Sequence, residues 1–322
     1  MSKIILGIDI SKSKFDVALL FLDNKLKTKK FNNKLTGFYE MIEWLDKKDA
    51  KANDLHICME ATGIYSEALS TYLFDAGYTV SVVNPARIKG FAQSELSRNK
   101  TDLADSQLIA RFCRAMEPKP WKPKPFHIRE LQGLVRRLEA LQDMYYQENN
   151  RLEIADFHVR TSIEAVMKKL TDEIELVKKK IQEHIQQNGD LNEKSKLLET
   201  IPGVGEATIS QVLAFISNVE DFKNAKQFAA FIGLNPTQRQ SGSSVQGRSR
   251  MSKMGNSNLR KAFYMPAVCA KRFNPIIKEF CDKLKISGKP TMLIVGAAMR
   301  KLAHIIFGVL KSGKPFSVIA MA

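Results

Sequence analysis

The chain has 322 residues, 44% of them hydrophobic and 26% charged, and a formal net charge of +16. This is the composition of a folded protein of two or three domains, and with no run of 18 apolar residues no membrane-spanning segment is predicted. The charge is confined to one end. Residues 223–322 hold 18 Lys and Arg against only Glu279 and Asp282, so the first 222 residues sum to zero. A cationic surface of that size repels itself unless a polyanion covers it, which points to nucleic acid.

Ile4-Ile5-Leu6-Gly7-Ile8 opens the chain without a basic n-region, so no signal peptide is read. Lys3 to Ile10 reads as a strand buried on both faces. Phe15–Leu22 and Leu26–Phe31 flank the turn residues Asp23-Asn24-Lys25 and read as a hairpin. Thr36–Leu45 has helical spacing with Thr36 as its cap. Leu55–Met59 is a strand, Tyr65–Asp75 a helix closed by Gly77, Thr79–Val83 a strand stopped by Asn84-Pro85, and Thr101–Ala115 a helix. The order predicts an α/β first domain, residues 1–117: a mixed sheet with helices on its faces. Pro118, Pro120, Pro123 and Pro125 then form a stiff linker. From His127 to Gln187, apolar residues three or four apart (Leu131, Leu134, Leu138, Leu141, then Ile163 to Ile181) predict two long helices. These form a hairpin or coiled-coil arm within 118–190, either joining subunits or packing inside one. The cationic part, 191–322, is expected to be mostly helical. Cys58, Cys113, Cys269 and Cys281 show no paired spacing, which fits a reducing cytoplasm and no zinc site. The five histidines are scattered and read as structural.

Four carboxylates in the first domain stand out. Asp9 lies between Ile8 and Ile10, where an ionised group is costly unless it is paired or binds a metal; alternatively it caps the turn at Ser11. Glu60 follows the strand Leu55–Met59. Asp102 and Asp105 share a helical face, though acids also favour any helix N-terminus. Two strand ends and one helix face suit Mg²⁺, and a pair of such ions roughly 3.5–4 Å apart can act on both oxygens of a phosphodiester exchange. Gly7-Ile8-Asp9-Ile10-Ser11 also resembles the first phosphate loop of sugar kinases and actin-like ATPases. No later adenosine loop follows, and the domain is short for two lobes.

In the cationic part, Ile201-Pro202-Gly203-Val204-Gly205 between two helical stretches resembles a helix-hairpin-helix, whose turn offers backbone N–H groups to a DNA phosphate. A plain αα-turn reads the same way. Gln240 to Ser257 is Gly/Ser-rich and reads as a flexible loop. Arg239, Arg248, Arg250 and Lys253 could hold phosphates there, and the serines are available as nucleophiles. No His stands beside these serines, so a hydrolase triad is unsupported.

Taken in order, Gly-Ile-Asp9-Ile-Ser, Met-Glu60-Ala-Thr-Gly, Lys-Thr-Asp102-Leu-Ala-Asp105, Ile-Pro-Gly-Val-Gly and Gln240-Ser241-Gly-Ser-Ser followed by Gly247-Arg resemble the DEDD transposases of bacterial insertion sequences, the insertion-sequence-110 family. The resemblance spans essentially the whole chain. It implies a RuvC-like first domain of the ribonuclease H fold, with Asp9, Glu60, Asp102 and Asp105 holding Mg²⁺, and a helical arm that mediates assembly. It implies Ser241 as the nucleophile of a covalent phosphoserine with DNA, and a structured bridge RNA that specifies target and donor DNA. It further implies a tetramer and a cytoplasmic, nucleoid-associated enzyme. The residues alone leave two alternatives: a RuvC-like nuclease or junction resolvase without a serine intermediate, and a nucleic-acid binder with structural carboxylates.

Overall fold

The computed structural model describes residues 4–95, 102–216, 218–241, 245–252 and 254–318, with backbone alone at 64, 102, 238–241 and 245–249. The chain divides into two compact units, Met1–Pro123 and Lys124–Ala322.

A five-stranded mixed sheet organises the first unit. β1 (Ile4–Ile10), β2 (Lys14–Leu20) and β3 (Leu26–Asn32) form an antiparallel meander. β4 (Leu55–Glu60) and β5 (Thr79–Val83) continue from the other side of β1 in parallel, giving the order β3-β2-β1-β4-β5. Parallel neighbours need crossovers, and α1 (Leu35–Asp46) and α2 (Ile64–Asp75) supply them. Thr36 is not the cap of α1 as expected. The N-cap is Lys34, with no side-chain bond, and Thr36 lies inside the first turn. After β5 the sequence suggested only a stop, but a further helix begins there, α3 (Pro85–Ser94). The Asn84 side chain accepts a bond from the Ala86 N–H at 2.8 Å and Pro85 sits where its missing donor costs nothing, so the residues that end the strand also start a helix. α4 (Asp102–Met116) follows; Lys3 and Thr101, assigned to predicted elements, lie outside the described residues.

Side chains alternate across the sheet. Leu6, Ile8, Phe15, Val17, Ile57 and Met59 pack with α1 and α2 on one face. Ile5, Ala18, Leu20 and Cys58 pack with Leu108, Ile109 and Phe112 of α4 on the other. Gly7 lets α4 lie on β1. A Cβ at this position would stand 2.3 Å from the Ser106 carbonyl oxygen and 2.4 Å from the Ala110 nitrogen, both backbone atoms that cannot rotate away. Gly7→Ala should therefore push α4 off the sheet and cost at least about 1–3 kcal/mol, the usual range for overpacking. A urea titration of the full chain measures this; an unchanged midpoint contradicts the close approach.

The second unit is helical around one core. α5 (Phe126–Ile154) and α6 (Phe157–Gln187) are joined at Ala155-Asp156 and pack on each other. Their proximal halves share a core with α7 (Gly189–Glu199), α8 (Glu206–Phe215), α9 (Ala225–Ile232), α10 (Ser257–Ala262), α11 (Tyr264–Phe273), α12 (Pro275–Ile286) and α13 (Thr291–Ser312). Leu131 and Leu141 are buried in that core, and Leu134 and Leu138 pack against it. This part of the apolar stripe thus faces its own chain. The distal halves expose Tyr146, Ile154, Phe157, Val159 and Val166. α13 is long and apolar enough to cross a membrane by length and composition, yet just over half of its most apolar stretch is buried, with Leu302, Ala303 and Ile306 in the core.

The expected flexible loop is instead a two-stranded antiparallel hairpin over much of its length, β6 (Pro236–Ser241) and β7 (Val245–Met251). The Ser252 N–H donates to the Asn235 carbonyl and closes the base of the hairpin, and the Asn256 N–H donates to the Phe231 carbonyl and fixes that base to α9, each at 2.8 Å. Gly255, at φ +136°, permits this. A Cβ there would stand 2.5 Å from the Phe231 carbonyl oxygen. Composition suggested a loop because it scores these glycines and serines as flexible, whereas Gly255 serves a close backbone approach.

Candidate catalytic site and nucleic-acid interface

The strand registers place charged residues on one rung of the first sheet. Asp9 is paired with Asp16 of β2, and Asp16 with Lys30 of β3. One step beyond the Ile8–Met59 pair, Glu60 comes beside Asp9 on β4. Lys30, Asp16, Asp9 and Glu60 thus run across four neighbouring strands. By alternation they share the face on which α4 lies: Asp9 with Ile5 and Gly7, Asp16 with Ala18, and Glu60 with Cys58. The Gly7 contact sets Ser106 and Ala110 over β1, and Arg114, near the C-terminal end of α4, donates to the Leu20 and Phe21 carbonyls at the far end of β2, so the first turn of α4, with Asp102 and Asp105, lies toward Asp9.

The backbone therefore brings all four sequence-predicted carboxylates to one end of one sheet face. Asp9, Glu60 and Asp105 are partly buried; the Asp102 side chain is outside the described residues. Among the described residues, no three His, Cys, Asp or Glu side chains form a group able to hold a metal ion. The donor chemistry nevertheless fits Mg²⁺, which takes hard carboxylate oxygens and keeps open positions. Just past Glu60, the Thr62 hydroxyl oxygen is buried with no hydrogen-bond partner among the described residues, so a polar group is left unsatisfied at this end of the sheet. Asp16 and Lys30 were missed in the sequence. The signal was there: Asp16 lies between Phe15 and Val17 as Asp9 lies between Ile8 and Ile10.

One thiol and two imidazoles are held in structural contacts. The neighbouring Cys58 thiol and burial push the Cys113 thiol up, which keeps it protonated. His56 bonds Ser81 at 2.9 Å and His184 bonds the His127 carbonyl at 2.8 Å, both structural contacts.

In the second unit, Ser241 ends β6 opposite Val245, Arg239 is paired with Gly247, and Arg248 lies in β7; their side chains are outside the described set, as are Gly242, Ser243, Ser244 and Lys253 entirely. Arg250 is exposed, and its carbonyl accepts the Thr237 hydroxyl at 2.8 Å. The Ile201–Gly205 turn does join two helices, α7 and α8. Gly203, at φ +95°, lies where a Cβ would stand 2.8 Å from the Ala270 nitrogen, so its smallness serves packing against α11. Gly205 is open. The cleft beside the turn, about 800 Å³, is lined by Glu139, Asp143 and Glu206 as well as Lys261, a mixed lining for a phosphate site. Glu139 accepts from Gln211 at 2.7 Å and Asn258 at 2.9 Å, tying α5 to α8 and α10.

Comparison with known proteins decides the family. A transposase model of the DEDD type of IS110 elements matches residues 6–155, and the model of the transposase IS116/IS110/IS902 family matches residues 195–282. The chain belongs to the IS110 family of transposases. It is 33% identical over 318 residues to the pilin gene-inverting protein of Moraxella bovis, covering 98% of each chain. It is 22% identical over 353 residues to the transposase for insertion sequence element IS1328 of Yersinia enterocolitica, covering 97% of this chain and 98% of the other. The first family model takes in the whole carboxylate rung, and the second runs from within α7 to within α12, with the hairpin between them.

Proposed function

We propose that this transposase is a recombinase that breaks and rejoins DNA through a phosphoserine at Ser241, aided by Mg²⁺ at Asp9, Glu60, Asp102 and Asp105 and guided by a structured bridge RNA. The observation that carries the reading is the alignment of Asp9 and Glu60 on adjacent strands beneath the helix bearing Asp102 and Asp105, in a chain that also carries the Gln240-Ser241 hairpin. The strand order and the pairing of β1 with both an antiparallel and a parallel neighbour support a RuvC-like fold. A relative named for inverting a gene supports exchange between two DNA sites over simple cleavage.

Bound at the four carboxylates, Mg²⁺ would offset negative charge on the phosphate oxygens. The Ser241 Oγ forms its bond to phosphorus as a P–O bond of the DNA breaks, and the released deoxyribose oxygen takes up the proton. Attack by a hydroxyl of another strand on the phosphoserine restores the serine and joins the ends. No high-energy cofactor is needed, because the phosphoester bond is conserved at each step. Arg239, Arg248, Arg250 and Lys253 offset the charge of the phosphate. The exposed apolar distal halves of α5 and α6 serve assembly of a homo-oligomer, up to a tetramer. Incubating the full chain with donor DNA, target DNA and the transcript of the flanking non-coding DNA in Mg²⁺ tests the whole reading. Joined product is expected only with transcript. Joined product without it overturns the RNA guidance, and cleavage without joining favours the nuclease alternative.

The cationic segment, residues 223–322, should bind nucleic acid chiefly through phosphates. Duplex affinity of the full chain should fall log-linearly with salt, with a slope near −0.9 for each phosphate neutralised. A titration by fluorescence anisotropy measures the slope; a salt-independent affinity contradicts the assignment.

A further inference from the structure

Among the described residues, Asp16 is a buried charge with little to compensate it. Its side chain is 7% exposed, deep enough that an ionised carboxylate must be compensated. Among the described residues its compensation is one ion pair, Lys30 Nζ at 3.5 Å from Oδ1, with the lysine itself half exposed. A carboxylate has room for about four donors, so among the described residues most of its accepting capacity is unspent. It stands directly across from Asp9 in the register, on the face that α4 covers. Paired residues of an antiparallel rung hold their Cβ atoms about 4.5–5.5 Å apart, so two negative side chains share one short space. A buried ion pair placed only for stability would gain nothing from a second carboxylate beside it.

We propose that Asp16 is a positioning carboxylate of the metal site, with Lys30 as the opposing charge beside it. This rests on the reading that Asp9 and its partners bind a divalent cation. Asp16 acts through Asp9: it adds negative charge beside that carboxylate and offers acceptors that would help hold a bound cation and its water in place. Lys30 opposes it, so the rung is not overloaded with negative charge when no cation is bound.

Calorimetric titration of the full chain with Mn²⁺, without DNA, tests the proposal, with thermal unfolding in EDTA run alongside. Asp16→Asn should weaken Mn²⁺ binding about tenfold or more, as loss of an outer-shell partner does, while the melting temperature in EDTA holds or rises. Lys30→Met should change affinity in the opposite direction, tightening it, and should lower the melting temperature in EDTA with recovery on adding Mn²⁺. A purely structural ion pair predicts that both variants melt earlier in EDTA and leave Mn²⁺ affinity unchanged, which overturns the proposal. Asp9→Asn separates the two levels. If it abolishes Mn²⁺ binding while Asp16→Asn and Lys30→Met bind as the wild type does, the metal site stands and the role of Asp16 fails. If Asp9→Asn binds normally, the metal reading fails and this proposal with it.

Discussion

Asp9→Ala and Asp105→Ala should each abolish strand exchange and leave the fold intact. The rung argues for both halves of that result. Asp9 lies between two carboxylates, Asp16 and Glu60, on neighbouring strands, and α4 brings Asp105 to the same end of the sheet. Like charges collected in this way repel one another, so removing one relieves strain in the protein without bound cation. The melting temperature in EDTA should hold or rise. Activity should fall by several orders of magnitude, because one of a few hard ligands is gone and its charge cannot be replaced by water. A plasmid strand-exchange assay with a melting curve on the same samples checks this. Wild-type activity in either variant, or full activity in excess EDTA, contradicts the account.

Ser241→Ala should keep DNA and RNA binding and lose exchange completely. The backbone places Ser241 at the last position of β6, paired with Val245, in a hairpin whose base is closed by the Ser252 backbone bond to Asn235 and fastened to α9 by the Asn256 backbone bond to Phe231. That anchoring is made by backbone groups, so the alanine variant should fold and bind as before. Ser243→Ala and Ser244→Ala should be milder. Anisotropy for binding and the plasmid assay for exchange separate the two effects. Exchange persisting in Ser241→Ala would move the nucleophile to a neighbouring serine.

The sheet was legible because its strands alternate or run apolar between clear turn residues, as in Asp23-Asn24-Lys25 and Asn84-Pro85. Asp9 was legible because a charge inside Ile8-Ile10 breaks that pattern. Asp16 breaks it too, but its meaning lies in the register: only pairing shows that it faces Asp9 rather than solvent. The same limit hid the hairpin at β6 and β7. Gly255 in sequence reads as flexibility, and only the Phe231 carbonyl packed against it reveals a fixed close approach. Gly203 shows the converse. A motif that reads as a phosphate turn owes its glycine to Ala270 of α11. The arm divides in the same way, since helical spacing predicts both helices but cannot say that Leu134 and Leu138 face their own core while Phe157 and Val166 face outward.

The central claim is that a serine of this chain holds the broken DNA strand. Trapping the reaction with denaturant, digesting the protein and mapping the nucleotide-bearing peptide by mass spectrometry tests it most directly. The account predicts a single phosphoester on Ser241, formed only with divalent cation and absent in Ser241→Ala. A reaction that cleaves or exchanges strands with no such adduct, taking up ¹⁸O from labelled water at the new phosphate end, would contradict it.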